Sequence, residues 1–280
     1  MNIGEAIILG IVQGMTEFLP VSSSGHLVLL RNIFGIEEPA LLFDTMVHVG
    51  TLAAVIAVLW QDVWSILRRI IQPLTLYLII ATIPVVIMAL FLRDQIEAAF
   101  QSAVFLGPAF LVTSTLLLCS EFFKKVKKKE KKLNVNQHES AQTTEIKMTW
   151  VDALVIGLFQ AVAIFPGVSR SGATITAGLF RKLDRDFAVR FAFLLSIPAI
   201  LGALILQLMD LGNGETGSGI GIVPIIAGAV TAAITGFFSI KLMVKTVRER
   251  SLLGFSIYTG ILGILVIIDQ YATNFFLKMF

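Results

Sequence analysis

One stretch of this chain occurs twice. Shifted by 147 residues, GIVQGMTEFLPVSSSG (10–25) lies over GLFQAVAIFPGVSRSG (157–172) without a gap. Seven of the sixteen positions are identical: Gly10/Gly157, Gln13/Gln160, Phe18/Phe165, Val21/Val168, Ser22/Ser169, Ser24/Ser171 and Gly25/Gly172. A duplication constrains a fold strongly, because each copy has to build the same unit and the two units have to pack together. The copies differ where chemistry would want a difference: Glu17 faces Ile164, Ser23 faces Arg170 and His26 faces Ala173. This pattern predicts a duplicated scaffold whose halves each supply part of one asymmetric polar site.

The scaffold belongs in a bilayer. With 56% apolar and 15% charged residues and a mean hydropathy of +0.86, the chain is too apolar for a soluble fold of this length. Apolar segments run over 3–19, 27–35, 41–60, 74–92, 103–123, 150–165, 173–180, 187–208, 220–243 and 253–272. Six can span a membrane. The pairs 3–19/27–35 and 150–165/173–180 differ, because a Pro/Gly/Ser break divides each pair and its second member is too short. Broken segments at matching places in two halves predict re-entrant helical hairpins. The expected fold is thus an all-α polytopic membrane protein with an inverted-topology duplication. The first repeat covers 1–123 (hairpin 3–35, spans 41–60, 74–92 and 103–123). A basic linker covers 124–148, and the second repeat 149–280 (hairpin 150–180, spans 187–208, 220–243 and 253–272). Three spans per half, an odd number, force the second copy to sit upside down. Glu5 and the lack of a basic flank argue against a cleaved signal peptide at the start, and the lone Cys119 excludes an intramolecular disulfide.

Basic residues orient the chain. With the lysine-rich 124–148 segment placed in the cytoplasm, threading puts eighteen basic side chains inside and only Arg31, Arg93 and Lys278 outside, while Arg170 falls in the second break. The first hairpin then enters from outside and the second from the cytoplasm, so their tips are expected to meet near the midplane. The linker reads as a solvated connection drawn to anionic headgroups, with no motif for nucleic acid. The loop 210–219 is acidic and outside, without evident chemistry.

Gln13 and Glu17 are four apart and share one helix face. Pro20 breaks that helix, and Ser22–Gly25 lead into a new helix expected to begin near His26. Free N–H groups and the positive dipole end at such a break form an anion site suited to phosphate. In the second copy Ser169, Ser171 and Gly172 repeat the cradle, and Arg170 adds a guanidinium that can grip phosphate oxygens in pairs. Serines at a membrane helix break can be mere caps, and Glu17 and Arg170 can be a structural ion pair. Yet a charge at bilayer depth costs roughly 2.5–3.5 kcal/mol and marks a functional site by default. Glu17, His26, Arg170 and the serines together look like phosphoryl-transfer equipment. Asp44 and His48, which share a face of the first full span, and Gln160 read as pocket wall or interhelical hydrogen bonds. No zinc-spaced set, Walker loop or nucleotide fingerprint occurs.

QGMTEFLPVSSSGH (13–26) and PGVSRSG (166–172) resemble the two signature regions of the bacterial undecaprenyl-diphosphate phosphatases, the bacitracin-resistance membrane family. The resemblance extends over essentially the whole chain. It implies hydrolysis of undecaprenyl diphosphate to undecaprenyl phosphate, which recycles the carrier lipid for cell-wall polymers and confers bacitracin resistance, in the bacterial cell membrane. It also implies a catalytic group of Glu17, Ser23, His26 and Arg170, in a diphosphate pocket lined by Gln13, Ser22, Ser24, Gly25, Ser169, Ser171 and Gly172. Either Ser23 or His26 can attack phosphorus. With Ser23 as nucleophile, His26 or Glu17 is the base; with His26, Glu17 orients the ring. A divalent cation, Mg²⁺ by resemblance, would shield the diphosphate. Glu17 is the sole motif carboxylate available to it, because the first acidic position of the motif is Gln13 here. The expected partners are the lipid substrate and the bilayer, with room for a homodimer and no nucleic acid.

Two rivals belong to other classes. Inverted repeats with broken helices are also the plan of secondary transporters, so a transporter or flippase of a prenyl phosphate lipid is the alternative. A lipid phosphatase of the acid-phosphatase-like class would need a histidine downstream of Arg170, but the last histidine is His138.

Overall fold

The computed structural model describes residues 1–36, 41–101, 103–133, 148–212 and 219–273, and no strand occurs among them. In chain order the helices are α1 (Ile3–Phe18), α2 (Ser23–Phe34), α3 (Leu41–Val58), α4 (Trp60–Arg68), α5 (Pro73–Phe91) and α6 (Arg93–Gln101). They continue with α7 (Leu106–Leu133), α8 (Trp150–Val162), α9 (Arg170–Phe180), α10 (Arg185–Gly212), α11 (Ile222–Glu249) and α12 (Leu253–Ile268). A 3₁₀ turn precedes α7 and a π turn follows α12. Among the described residues four helices are long and apolar enough to cross a membrane (α5, α10, α11 and α12), and α3 with α4 makes a fifth candidate bent by 85°. Their outward faces carry large apolar side chains, such as Ile79, Ile83 and Ile87 on α5 and Ile257, Ile261 and Ile264 on α12. Such a surface suits lipid.

Each expected hairpin segment folds as two helices in contact, α1 with α2 and α8 with α9. At about 1.5 Å per residue, α2 and α9 are too short to cross the hydrocarbon. The chain breaks at 19–22 because a residue before proline is pushed out of helical conformation; Leu19 is extended, with ψ 144°. One expectation needs correcting here. The second limbs start at Ser23 and Arg170, earlier than the His26 and residue 173 read from the sequence, because Ser22 and Ser169 are N-caps. Their hydroxyls accept from the N–H groups of Gly25 (3.4 Å) and Gly172 (3.1 Å). Both hairpins begin alike as well, with capping boxes of Asn2/Glu5 and Thr149/Asp152.

Further differences concern the spans. The expected 41–60 segment ends at Val58, where the chain turns into α4. This amphipathic helix stacks Trp60 on Trp64, lays Arg68 over Trp64 and ties Asp62 to Arg190 on α10 at 2.6 Å. Aromatic and basic groups of this kind favour the membrane interface over its core. The apolar part of α7 covers 106–122, and its backbone stays helical to Leu133, so residues 124–133 of the expected linker extend that helix. Residues 134–147 of the linker and 213–218 of the acidic loop lie outside the described residues.

Helices meet through small residues, as packing in lipid requires. α1 lies on α11 where Gly10 touches Gly228, and α8 lies on α5 where Gly157 touches Ala81. Gly10 and Gly157 are repeat equivalents, and so are Ala81 and Gly228 under the same shift. α7 and α12 pair through Gly107/Gly263 and through reciprocal hydrogen bonds between Ser114 and Ser256 (2.8 Å each). Phe18 and Phe193, edge to face with centroids 5.2 Å apart, sit in the largest apolar core, directly beneath the two breaks.

Candidate active site

The two helix breaks pack on each other. A Cβ added to Gly25 would stand 3.0 Å from Gly167 Cα and 2.7 Å from the Phe110 ring, and one added to Gly172 would stand 3.3 Å from Pro20. Residues 20 and 25 are the repeat equivalents of 167 and 172, so the tips exchange equivalent contacts. Gly167 also has φ +92°, a conformation that a side chain disfavours. Thr113 on α7 locks the second tip, donating to Gly167 O (3.1 Å) and accepting from Ser169 N (2.9 Å). Ser171 spans the joint by donating to Leu19 O at 2.9 Å.

Glu17 sits at the centre of this joint, with its side chain 4% exposed. Arg170 from the second hairpin donates to its Oε1. On Oε2 it accepts from Ser23 Oγ (2.5 Å) and Gln13 Nε2 (2.9 Å). A glutamine at position 13 can donate this bond, which an ionised glutamate could not. Glu17, Ser23, Ser24, Ser169 and Arg170 open onto a cleft of about 330 Å³ that Ile96 and Phe100 of α6 also line. Ser22 lies close to Ser24 (Oγ···Oγ 3.4 Å), and Ser169 to Ser171 (3.2 Å). Hydroxyls, two helix starts and a guanidinium thus converge on one space, as an anionic phosphate group requires.

His26 is placed elsewhere. Its Nδ1 donates to Ser22 O (2.7 Å), which fixes Nε2 as the acceptor from Tyr258 OH (2.7 Å). The ring stacks on Tyr258 and meets Phe110 edge on. It is turned to α12 and holds the turn at Ser22, a non-glycine residue with φ 68°. The histidine beside Glu17 is His48 of α3, with Nε2 3.5 Å from Oε2. Asp44, one turn earlier, also lines the cleft, and it pairs with Arg31 of α2 at 2.8 Å. The shared helix face of Asp44 and His48 was the available signal for this pair. Thr113 and Tyr258 carried none, since each is one polar residue in an apolar helix. Gln160 stays buried with no hydrogen-bond partner among the described residues, whereas its equivalent Gln13 bonds Glu17.

The donor set does not fit a protein-held cation. Among the described residues no three His, Cys, Asp or Glu side chains cluster as ligands. Both oxygens of Glu17, the one motif carboxylate, are already engaged by donors, and a guanidinium in place of a second carboxylate repels a metal.

Known proteins share this arrangement of sequence over its whole length. A profile of the family described as "Bacitracin resistance protein BacA" matches residues 6–265. The chain belongs to the BacA family. Relatives within it include an "Undecaprenyl-diphosphatase" of Carboxydothermus hydrogenoformans, 40% identical over 98% of this chain and 100% of the relative. An "Undecaprenyl-diphosphatase 3" of Bacillus cereus is 42% identical over the same shares. An "Undecaprenyl-diphosphatase" of Methanosphaera stadtmanae is 38% identical over 96% of this chain and 98% of the relative. With the apolar helices, membership of the BacA family makes this a multi-pass membrane protein.

Proposed function

We infer that this chain is an integral-membrane phosphatase that hydrolyses undecaprenyl diphosphate to undecaprenyl phosphate and phosphate, recycling the carrier lipid and conferring bacitracin resistance. The observation that carries the reading is the convergence of Glu17, Ser23 and Arg170, from two hairpins, on one cleft between two helix starts. A transporter needs no such set. The geometry favours Ser23 as nucleophile over His26, because Ser23 already donates to a carboxylate while both nitrogens of His26 are spent on structure. Ser23 Oγ attacks the terminal phosphorus and its proton passes to Glu17 Oε2. The bond from phosphorus to the bridging oxygen breaks, and its electron pair leaves on undecaprenyl phosphate. Glu17 passes that proton to the departing undecaprenyl phosphate, and the regenerated carboxylate takes one from the water that attacks the phosphoserine; as the bond to Ser23 breaks and phosphate leaves, Ser23 Oγ recovers that proton from Glu17. Arg170 and the first-turn N–H groups of α2 and α9 hold the phosphoryl oxygens throughout. A diphosphate that engages Arg170 loosens that residue's hold on Glu17, so substrate binding itself frees the base. The diphosphate brings its own divalent counter-ion, Mg²⁺ by expectation, since the described residues offer no cage for one.

The halves 1–123 and 149–280 are best read as inverted repeats. The paired exchange of contacts, α1 on α11 with α8 on α5 and tip on tip, supports that reading. The charge asymmetry supports a cytoplasmic 124–148 linker in the cell membrane. It also puts α6 outside, so the cleft that α6 lines opens outward. The test is phosphate release from a long-chain prenyl diphosphate by purified protein in detergent, with and without Mg²⁺. Release that collapses in folded Ser23→Ala and Arg170→Ala supports the reading; no release from folded wild type under any divalent ion would sink it.

A further inference from the structure

We propose that His48 of α3 is a positioning residue for Glu17, holding the carboxylate toward Ser23 when the substrate draws Arg170 away; this rests on the phosphatase reading above. A carbonyl oxygen can only accept, so His48 Nδ1, 2.6 Å from Asp44 O, must carry its hydrogen there. The ring is thereby fixed, and Nε2 is left facing Glu17 Oε2 at 3.5 Å. At that distance the ring edge lies within ion-pair reach of the oxygen and packs against the carboxylate from a separate helix. Asp44 is itself held, since its carboxylate pairs with Arg31. A chain of contacts therefore runs from α2 through α3 to the base: Arg31, Asp44, His48, Glu17.

The two oxygens of Glu17 explain why such a residue is needed. Oε1 belongs to Arg170, which is also the group best suited to grip a phosphate. Once a diphosphate competes for that guanidinium, Oε1 loses its anchor and the carboxylate is free to swing. Gln13 and His48 both hold Oε2, the oxygen that receives the proton of Ser23. Gln13 reaches it from the same helix, four residues away, and follows any movement of α1. His48 reaches it from a different helix and fixes it against the rest of the site. Loss of His48 is therefore felt in the substrate complex, in turnover more than in binding.

The test uses the full chain in detergent with a polyprenyl diphosphate, comparing wild type, His48→Ala, His48→Leu and His48→Gln at matched thermal stability. The expected result is a loss of roughly 10- to 100-fold in kcat for Ala and Leu, with KM within about threefold of wild type. His48→Gln should recover most of the lost turnover, because its amide N–H can meet the same oxygen. Unchanged kcat in folded His48→Ala or His48→Leu overturns the proposal, and so does a rise confined to KM. A glutamine variant as poor as alanine overturns it too, since that would demand a ring that moves protons. If the alanine variant fails to fold, the leucine and glutamine pair carries the comparison. An inactive wild type would overturn the phosphatase reading and this proposal with it, whereas an active wild type indifferent to His48 overturns the proposal alone.

Discussion

Glu17 joins the two hairpins, since one carboxylate oxygen faces Arg170 and the other faces Ser23. Removing its charge takes away both the base and the counter-charge of a half-buried guanidinium. Glu17→Gln should lower kcat by about 10²- to 10⁴-fold, read by phosphate release, and stay folded because the amide keeps the shape. His26 predicts a different pattern, because its partners are Ser22 O and Tyr258 OH rather than Glu17. Tyr258→Phe removes one partly buried hydrogen bond and should cost about 1 kcal/mol of stability or less, seen as a lower unfolding temperature in detergent, with only a small fall in turnover. A collapse of activity at unchanged stability would contradict a turn-holding role. These two histidines mark the limit of legibility at this scale. His26 stands in the serine run and invites a catalytic role, while His48 lies in an apolar span and reads as wall. Which ring turns toward Glu17 is decided by the start of α2 at Ser23, and neighbour identity along the chain does not reveal that.

Both helix breaks have a serine that caps the second limb and a glycine that lets the other tip approach. Ser22→Ala and Ser169→Ala should each cost about 1 kcal/mol as lost caps. Their effect on activity should exceed that cost, because they also move the first turns that face the cleft. Where α1 crosses α11, a side chain at Gly10 would run into the backbone of Gly228. Gly10→Val should therefore destabilise the protein by roughly 1–3 kcal/mol or more, measurable as reduced yield of folded protein and a lower unfolding temperature; Gly157→Val against Ala81 should do the same. The repeat was plain in the sequence because both copies keep Gly, Phe, Val and Ser in register. The true starts of the second limbs were not, because a serine can cap a helix or ride inside its first turn, and only the dihedral angles at Ser22 and Ser169 distinguish the two.

At the scale of the whole molecule, orientation and access are linked. If the basic residues lie in the cytoplasm, α6 is outside and the cleft lined by Ile96 and Phe100 opens there. In a Cys119→Ser background, Gln95→Cys on α6 should react with a membrane-impermeant thiol reagent on intact cells, and Lys182→Cys should react only after permeabilisation. Both positions are exposed, so the opposite pattern would invert the topology and close the outward route. The ion pairs Arg190–Asp62, Arg181–Asp152 and Arg185–Glu121 all lie on the side assigned to the cytoplasm. Two of them tie α10 to α4 and α7, and the third joins the two limbs of the second hairpin.

The sequence by itself determined the membrane class, the duplication, both hairpin breaks and the polar residues worth watching, because hydropathy, proline and repeated motifs act locally and leave their trace in order along the chain. It also led to the expectation that Glu17 and Arg170, from separate copies, share one site where the two tips meet. Tertiary structure alone decided that Ser23 rather than His26 shares the carboxylate, that His48 comes in from a third helix and that α6 lines the cleft. Each of those facts depends on how helices far apart in sequence cross through small residues, and a shift of one residue in where a helix starts rotates its side chains by about 100°.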